Sequence, residues 1–309
     1  QGNPSLGINQ EKFTSWYRTR LVNQEKFTGW YRPRLVNIKG GTTMQHLLTI
    51  AGSDSSGGAG IQADLKTFAA HGCFGMSVIT AVTAQNTVGV TKIQNIDADI
   101  VAAQLDAVFT DIRVDAVKIG MVSQVPIIKI IAEKLRQYKP PIIVLDTVMV
   151  SKSGFDLLEP SACATLIKEL LPLATLVTPN LPEAEKIVGY KVENKETMVK
   201  AGKDILAMGP KAVLIKGGHL TETADDYLQL PDEGIWYKKE RIATKNTHGT
   251  GCTLSSSLAA NLAKGMSLKE AVKASKEYVT MAIEHALAIG HGCGPTHHFV
   301  EMFKKAGLE

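Results

Sequence analysis

The chain has 309 residues, of which 44% are hydrophobic and 21% are charged, so a large core is available. No apolar run approaches the ~18 to 20 residues that span a bilayer, and no signal peptide precedes Met44. These features argue against a membrane protein, and we expect a soluble chain in the cytoplasm.

The formal charge of +4 originates in the first part of the chain. Residues 1–43 carry seven lysines and arginines against two glutamates, a net of +5, which leaves −1 for the remainder. Because that remainder is close to neutral, the charge gives no reason to expect a nucleic-acid-binding surface.

The cysteines are widely spaced and form no C-x-x-C pair, which argues against a zinc site or a disulfide framework and favours a reducing compartment. They are Cys73, Cys163, Cys252 and Cys293.

Residues 9–22 are repeated, almost unchanged, as residues 23–36. Two units of this size are too few to build a repeat fold. They could form a basic, aromatic arm for RNA or membrane, or an appended leader before a natural start at Met44. We favour the leader, and therefore expect residues 1–43 to lie outside the fold and residues 44–309 to form the domain.

From Met44 onward, short apolar runs alternate with helical patterns. The first half predicts strands at 47–51, 76–84, 116–120 and 142–146, a glycine-rich loop at 52–60, and helices at 61–71, 99–111 and 125–137. The second half predicts helices at 161–170, after 178–183, at 250–264 and at 268–288, strands at 176–178 and 212–216, and a hairpin at 227–230 and 235–239. This order predicts an α/β fold with a doubly wound, mostly parallel sheet flanked by helices.

One turn, Asn246-Thr-His-Gly-Thr-Gly-Cys252, opens directly into a predicted helix. The first N–H groups of a helix lack intrahelical acceptors and lie at the positive end of its dipole, so they attract phosphate. Cys252 falls in the same first turn, where we expect its pKa to lie below the free value of about 8.5. The alternative is an ordinary helix cap with a small core cysteine.

Polar side chains end several of the apolar runs, and a parallel sheet would bring them to one edge. They are Asp54, Gln85, Lys118, Asp146, Asn180, Glu183 and Lys216. Acids for a metal, lysines for phosphate and a helix end for an anion are the components of phosphoryl transfer. Singly each has a structural explanation: Asn180 and Glu183, for example, have the spacing of a helix capping box.

With these residues in view, the chain resembles the hydroxymethylpyrimidine and phosphomethylpyrimidine kinases of thiamine biosynthesis, a branch of the ribokinase-like superfamily. The resemblance runs from Met44 to about His298. It is carried by the segments 51–66, 84–87, 118–121, 145–149, 178–183, 216–219 and 246–252.

The resemblance implies that Cys252 takes the proton of the substrate's hydroxymethyl group while Gly249, Thr250 and Gly251 hold the γ-phosphate of ATP. Alternatively, the thiol chiefly positions the substrate. Asp146 and Glu183 would organise Mg²⁺, with Lys216 and Asn180 also on the nucleotide side. The pyrimidine would be bound by Gln85, Asp64, Gly52, Ala59, Met121 and Val148.

The same resemblance leaves other functions open. Pyridoxal, pyridoxine and pyridoxamine kinases share the scaffold, but Ala84-Gln-Asn-Thr87 fits the pyrimidine branch better. A catalytically idle vitamin-binding protein is a further alternative. The resemblance suggests both successive phosphorylations and a homodimer, with small-molecule substrates and neither nucleic acid nor membrane as partners.

Overall fold

The protein is described here by a computed structural model that covers residues 44–149, 160–218, 220 and 223–308. The predicted leader, residues 1–43, and His219 of the resemblance lie outside the described residues, so the leader stays a prediction. Among the described helices, none combines the length and the apolar character that crossing a bilayer would require.

The described strands form one sheet in the order β3-β2-β1-β4-β5-β6-β7-β8-β9. Its middle, from β2 to β7, is parallel, and β3, β8 and β9 pair antiparallel. The strands are β1 His46–Asp54, β2 Phe74–Gln85, β3 Val90–Asn95, β4 Ala116–Ile119, β5 Ile143–Leu145, β6 Leu176–Val177, β7 Val213–Ile215, β8 Asp226–Gln229 and β9 Gly234–Tyr237.

Helices pack on both faces of this sheet. They are α1 Gly60–Ala70, α2 Ala98–Phe109, α3 Val125–Tyr138, α4 Pro160–Glu169, α5 Leu181–Val188, α6 Lys195–Leu206, α7 Thr250–Ala263, α8 Leu268–Glu284 and α9 Val300–Ala306. A 3₁₀ turn at Leu171–Leu173 follows α4.

Alternate residues of the central strands enter two separate cores. In β1, Leu48 and Ile50 pack with α2 and α3, whereas Leu47 packs on the opposite face with α7 and α8. Because successive side chains of a strand point to opposite faces, a strand covered on both sides must be apolar throughout. This explains the uninterrupted apolar runs, and it confirms the predicted doubly wound α/β fold.

Several elements differ from the sequence prediction. β1 continues through Ser53 and Asp54, expected to be loop, because a register shift between Ala51 and Ser53 lets it keep pairing with β2. The edge strand β3 and the helices α6 and α9 were not predicted. The last long helix ends at Glu284 rather than continuing to residue 288.

The strand order creates the place for a site. β1 lies between β2 and β4. The chain forms β2 and β3 on one side of β1 and then adds β4 to β9 on the other side. Such a switch point opens a crevice at the carboxyl ends of parallel strands. The polar residues that follow β1, β4, β5, β6 and β7 therefore meet at one edge.

Candidate active site

A cavity of about 570 Å³ opens at this carboxyl edge. Every predicted site residue except Asp64 lines it: Gly52, Ala59, Gln85, Met121, Asp146, Val148, Asn180, Glu183, Lys216, Gly249, Thr250, Gly251 and Cys252. Asp54 and Lys118, also expected at this edge, line it as well. The cavity therefore brings these residues together at one edge of the sheet, and their functional roles stay predictions.

The glycine turn brings two backbone segments into contact. Gly249 caps α7 in the left-handed region, with φ of 79°, and a Cβ at this residue would overlap the carbonyl oxygen of Gly58. Its own carbonyl accepts the N–H of Thr253 at 2.8 Å. Only glycine fits here, and the close approach fixes the start of α7 against the loop that precedes α1.

Asp146 sits at the centre of the charged residues in the cavity. Lys216 Nζ donates to its Oδ1 at 2.9 Å, and Ser255 of α7 donates to its Oδ2 at 3.2 Å. Burial alone would raise the pKa of Asp146, but Lys216 and Lys118 outweigh that effect and lower it. Asp146 is therefore an ionised carboxylate facing the cavity.

Glu183 and Asn180 form the capping box of α5, in addition to lining the cavity. Asn180 Oδ1 accepts the N–H of Glu183, and Glu183 Oε2 accepts the N–H of Asn180, each at 2.9 Å. Thr147 also donates to Oε2. Burial, with Asp146 nearby, raises the pKa of Glu183 to about 7, although Lys216 opposes the change.

The two carboxylates fit a divalent cation that is also held by phosphate. Mg²⁺ commonly takes one or two protein carboxylates and completes its shell with water and phosphate oxygens. Within the described residues no cluster of three or more potential ligands exists. The raised pKa of Glu183 marks a buried acid whose charge is only partly offset by Lys216 and its hydrogen bonds, and a cation would favour its ionised form.

Asp64 is the one predicted site residue that is not among those lining the cavity, and its role in substrate binding stays a prediction. Its side chain is fully buried, and both its oxygens lie 2.9 Å from Lys118 Nζ. Thr49 and Ser256 also donate to it, at 2.6 and 2.7 Å. Helix α1 turns this residue toward β1, β4 and α7, so its acceptors are occupied inside the protein.

Asp54 connects the loop before α1 to the glycine turn. It accepts the N–H groups of Gly58 and Ala59, and His248 Nε2 lies 2.8 Å from its Oδ2. Burial would raise the pKa of Asp54, but hydrogen bonds from His248, Ser56 and Ala59 hold it at about 2. Because Asp54 is ionised, the Nε2 of His248 must be the donor.

That proton assignment affects Gln85. Its amide nitrogen lies 3.4 Å from the same Nε2, which already donates and therefore cannot accept. Its Oε1 lies 3.1 Å from the hydroxyl of Thr83. The Gln85 amide thus stays able to donate to a ligand in the cavity.

The expected lowering of the Cys252 pKa is wrong for this structure. Burial raises the pKa of Cys252 to about 11, and the carboxylates of Asp64 and Asp146 add to the rise. Lys118 and the N–H of Gly60 act in the opposite direction. A helix N-terminus favours a thiolate, but the loss of water around the buried thiol outweighs that effect here.

Residues further along the cavity were missed by sequence reasoning. Asp226 and Lys276 form an ion pair that lines it, and Lys276 also donates to the carbonyl of Ala224 at 2.7 Å. Burial raises the pKa of Asp226. Lys276 lies among the inward residues of α8, so its sequence pattern gave no sign of a site.

A doubly wound sheet whose carboxyl edge gathers a glycine turn at a helix N-terminus, two acids and two lysines is the arrangement of a phosphotransferase of the ribokinase-like class. The model of the phosphomethylpyrimidine kinase family matches residues 54–297, and the chain belongs to this family.

Known proteins agree with this assignment. The hydroxymethylpyrimidine/phosphomethylpyrimidine kinase of Escherichia coli (strain K12) is 51% identical over 256 residues, 82% of this chain and 96% of that protein. The structure of phosphomethylpyrimidine kinase from Clostridium difficile 630 matches at 52% identity with a TM-score of 0.70, covering 77% of this chain and 99% of its own. An ADP complex of Bacillus subtilis pyridoxal kinase matches at 40% identity with a TM-score of 0.79, covering 84% and 99%.

The titration of Glu183 predicts a pH-dependent effect on stability. Its pKa is raised from 4.5 to about 7, so the folded protein binds this proton more tightly than the unfolded chain does. Stability must then fall as pH rises through that window. Glu183→Gln removes the buried charge and keeps an acceptor for the capping box.

In buffer without divalent cations, we expect Glu183→Gln to match the parent protein near pH 5 and to be more stable at pH 8, by up to about 3 kcal/mol. Thermal unfolding from pH 5 to pH 8 measures this difference. Glu193→Gln, at an exposed residue, is the matched control. A stability difference that does not change with pH would contradict the prediction.

Proposed function

We propose that the protein transfers the γ-phosphoryl group of ATP to 4-amino-5-hydroxymethyl-2-methylpyrimidine, and then a second phosphoryl group to the resulting monophosphate, in thiamine biosynthesis. The names of the family and of its relatives support this substrate class. The observation that carries the proposal is that the glycine turn with Cys252 and the amide of Gln85 line one cavity.

The phosphate end of this cavity is the N-terminus of α7. Within the described part of the chain, the N–H groups of Gly251 and Cys252 meet no acceptor outside α7. They are suited to the terminal phosphate, and Lys216 adds a positive charge beside them. The ADP complex of a structural relative supports a nucleotide here.

Asp146 and Glu183 would hold Mg²⁺ at this end of the cavity. When bound, the ion would neutralise charge that builds up on the phosphate oxygens during transfer. Asp146 would then exchange its contact with Lys216 for the cation. The released ammonium would be able to donate to a phosphate oxygen.

The other end suits a small, flat ring. Gly52 allows Met121 to lie close, because a Cβ on Gly52 would overlap the methionine methyl group. Ala59 and Val148 add apolar surface. Gln85 can pair with both an exocyclic amine and the adjacent ring nitrogen, since an amide both donates and accepts.

Cys252 follows the glycine turn and lines the same cavity. As a base, its thiolate would take the proton of the hydroxymethyl group, the substrate oxygen would bond to the γ-phosphorus, and the bond from that phosphorus to ADP would break. In the ligand-free protein Cys252 is a thiol, because its pKa is about 11. It therefore acts as a base only if nearby positive charge favours the thiolate during turnover.

The cytoplasmic location, the homodimer and the separate leader are also proposals. The edge formed by β2 and β3 exposes Val82, and Val88 projects from the turn between those strands. This apolar surface is consistent with contact between two copies of the chain. The resemblance to the family supplies the expectation of two copies.

A substrate panel tests the proposed function. With Mg-ATP, we expect the highest kcat/KM for the pyrimidine alcohol, and we expect both the monophosphate and the diphosphate among its products. Coupled ATP consumption gives the rates, and mass spectrometry identifies the products. Equal or higher kcat/KM for pyridoxal would favour the vitamin B6 alternative. No turnover of any pyrimidine or pyridine alcohol would favour a vitamin-binding protein without catalysis.

The role of Cys252 is tested by Cys252→Ser. We expect kcat to fall about 100-fold or more, the usual range for losing a general base, because a serine hydroxyl does not become an anion under these conditions. Nucleotide affinity should change little, as the backbone N–H groups remain. Cys163→Ser, outside the residues that line the cavity, is the control. An unchanged kcat in Cys252→Ser would leave the thiol with a positioning role only.

A further inference from the structure

We propose that Lys118, held in place by Asp64, is the fixed positive charge that stabilises the anion on Cys252 during turnover. Lys118 is then a positioning residue, since it acts through Cys252. This inference rests on the proposed function for its meaning, although its main test requires no pyrimidine.

Lys118 belongs to the wall of the cavity. Lys118 is the third residue of β4, it is fully buried, and it also lines the cavity. Gly120 provides the space it needs, because a Cβ there would stand 2.8 Å from the Lys118 nitrogen. This gap leaves room for the ammonium beside Asp64.

Asp64 is fixed from three elements. Thr49 of β1 donates to its Oδ2, Ser256 of α7 donates to its Oδ1, and Lys118 of β4 lies 2.9 Å from each oxygen. Ser256 is four residues after Cys252, so the same helix carries both the thiol and an anchor for this ion pair. Any shift of the pair relative to Cys252 would have to break these contacts.

The charge of Lys118, rather than a hydrogen bond to a ligand, is what reaches the cavity. Within the described residues Asp64 is the acceptor that Lys118 meets, and both side chains are fully buried.

Charges reach Cys252 from four elements. Lys118 of β4 and Lys216 after β7 favour its anion, whereas Asp64 of α1 and Asp146 after β5 oppose it. With nucleotide and Mg²⁺ bound, Lys216 and Asp146 would turn to those ligands. The Lys118–Asp64 pair has no exposed atom that could do the same, so its field at Cys252 is permanent.

A buried ion pair is also a poor device for stability alone. Removing two charges from water costs several kcal/mol each, and apolar replacements are often as stable. The Lys118–Asp64 pair lies in a fold rich in apolar core residues, beside the proposed base. Its position therefore favours a role in the chemistry.

Two variants that each remove one charge test the proposal, because they should shift the midpoint of Cys252 alkylation in opposite directions. Lys118→Met removes the favourable charge and should move the midpoint of Cys252 alkylation up by about one pH unit or more. Asp64→Asn keeps a hydrogen-bond acceptor for Lys118, removes the opposing charge, and should move the midpoint down. Because the Cys252 pKa of the parent protein is about 11, the shift is measured below the midpoint, from the rate of Cys252 alkylation by iodoacetamide between pH 7 and pH 10, followed by peptide mass spectrometry. A shift of one unit changes that rate about tenfold.

The controls separate the effect of charge on the alkylation midpoint from an effect of misfolding. Lys134→Met and Asp106→Asn remove the partners of an ion pair between α2 and α3, and should leave the midpoint unchanged. The double variant Lys118→Met/Asp64→Asn leaves no buried unpaired charge and should lie between the singles. Circular dichroism and thermal unfolding confirm that each variant is folded. Shifts of the same sign in both single variants, or no shift in either, would overturn the proposal.

Activity provides a second measurement. With the pyrimidine alcohol and Mg-ATP, Lys118→Met should lower kcat about 100-fold and change the KM for ATP by less than about twofold. An unchanged kcat would overturn the role in turnover. If the substrate panel instead identified another alcohol, the alkylation result would still stand, so failure of the proposed function and failure of this inference are distinguishable.

Discussion

The interaction on which the site depends is the pairing of buried lysines with carboxylates at the carboxyl edge of the sheet. Lys216 pairs with Asp146, and Lys118 pairs with Asp64. An unpaired charge at either place would be very costly in an apolar core. The pairs let the protein keep two positive charges beside the N-terminus of α7, where the phosphate is proposed to bind.

The two pairs differ in what a ligand can reach. Asp146 and Lys216 face the cavity and can exchange partners with a cation and a phosphate, whereas Asp64 is enclosed by β1, β4 and α7. One pair is therefore suited to respond to the nucleotide, and the other to keep a constant field. In the absence of ligands, burial keeps Cys252 a thiol.

The sheet and most of the residues that line the cavity could be predicted from the sequence, because both follow from local patterns. Apolar runs such as 142–146 mark strands buried on two faces, and the residue that ends each run is brought to the shared edge. The prediction from sequence failed where the environment of a residue is set by residues that are distant in the sequence. The resemblance assigned Asp64 to the ligand, whereas its partner Lys118 is 54 residues away in the sequence. The Cys252 pKa was misjudged because the burial that raises it depends on how distant segments pack around the thiol. Lys276 was missed because nothing in the sequence distinguishes a lysine that lines a cavity from other polar residues on a helix.

The central claim is that one cavity aligns the terminal phosphate at α7 with a small ring at Gln85, so that Cys252 lies between them. A crystal structure with the pyrimidine alcohol and a non-hydrolysable ATP analogue tests this most directly. The account predicts the terminal phosphate at the N–H groups of residues 249–252 and the hydroxymethyl oxygen within about 3.5 Å of the phosphorus, close to Cys252 Sγ. A ring bound away from Gln85, or a terminal phosphate bound away from the glycine turn, would contradict it.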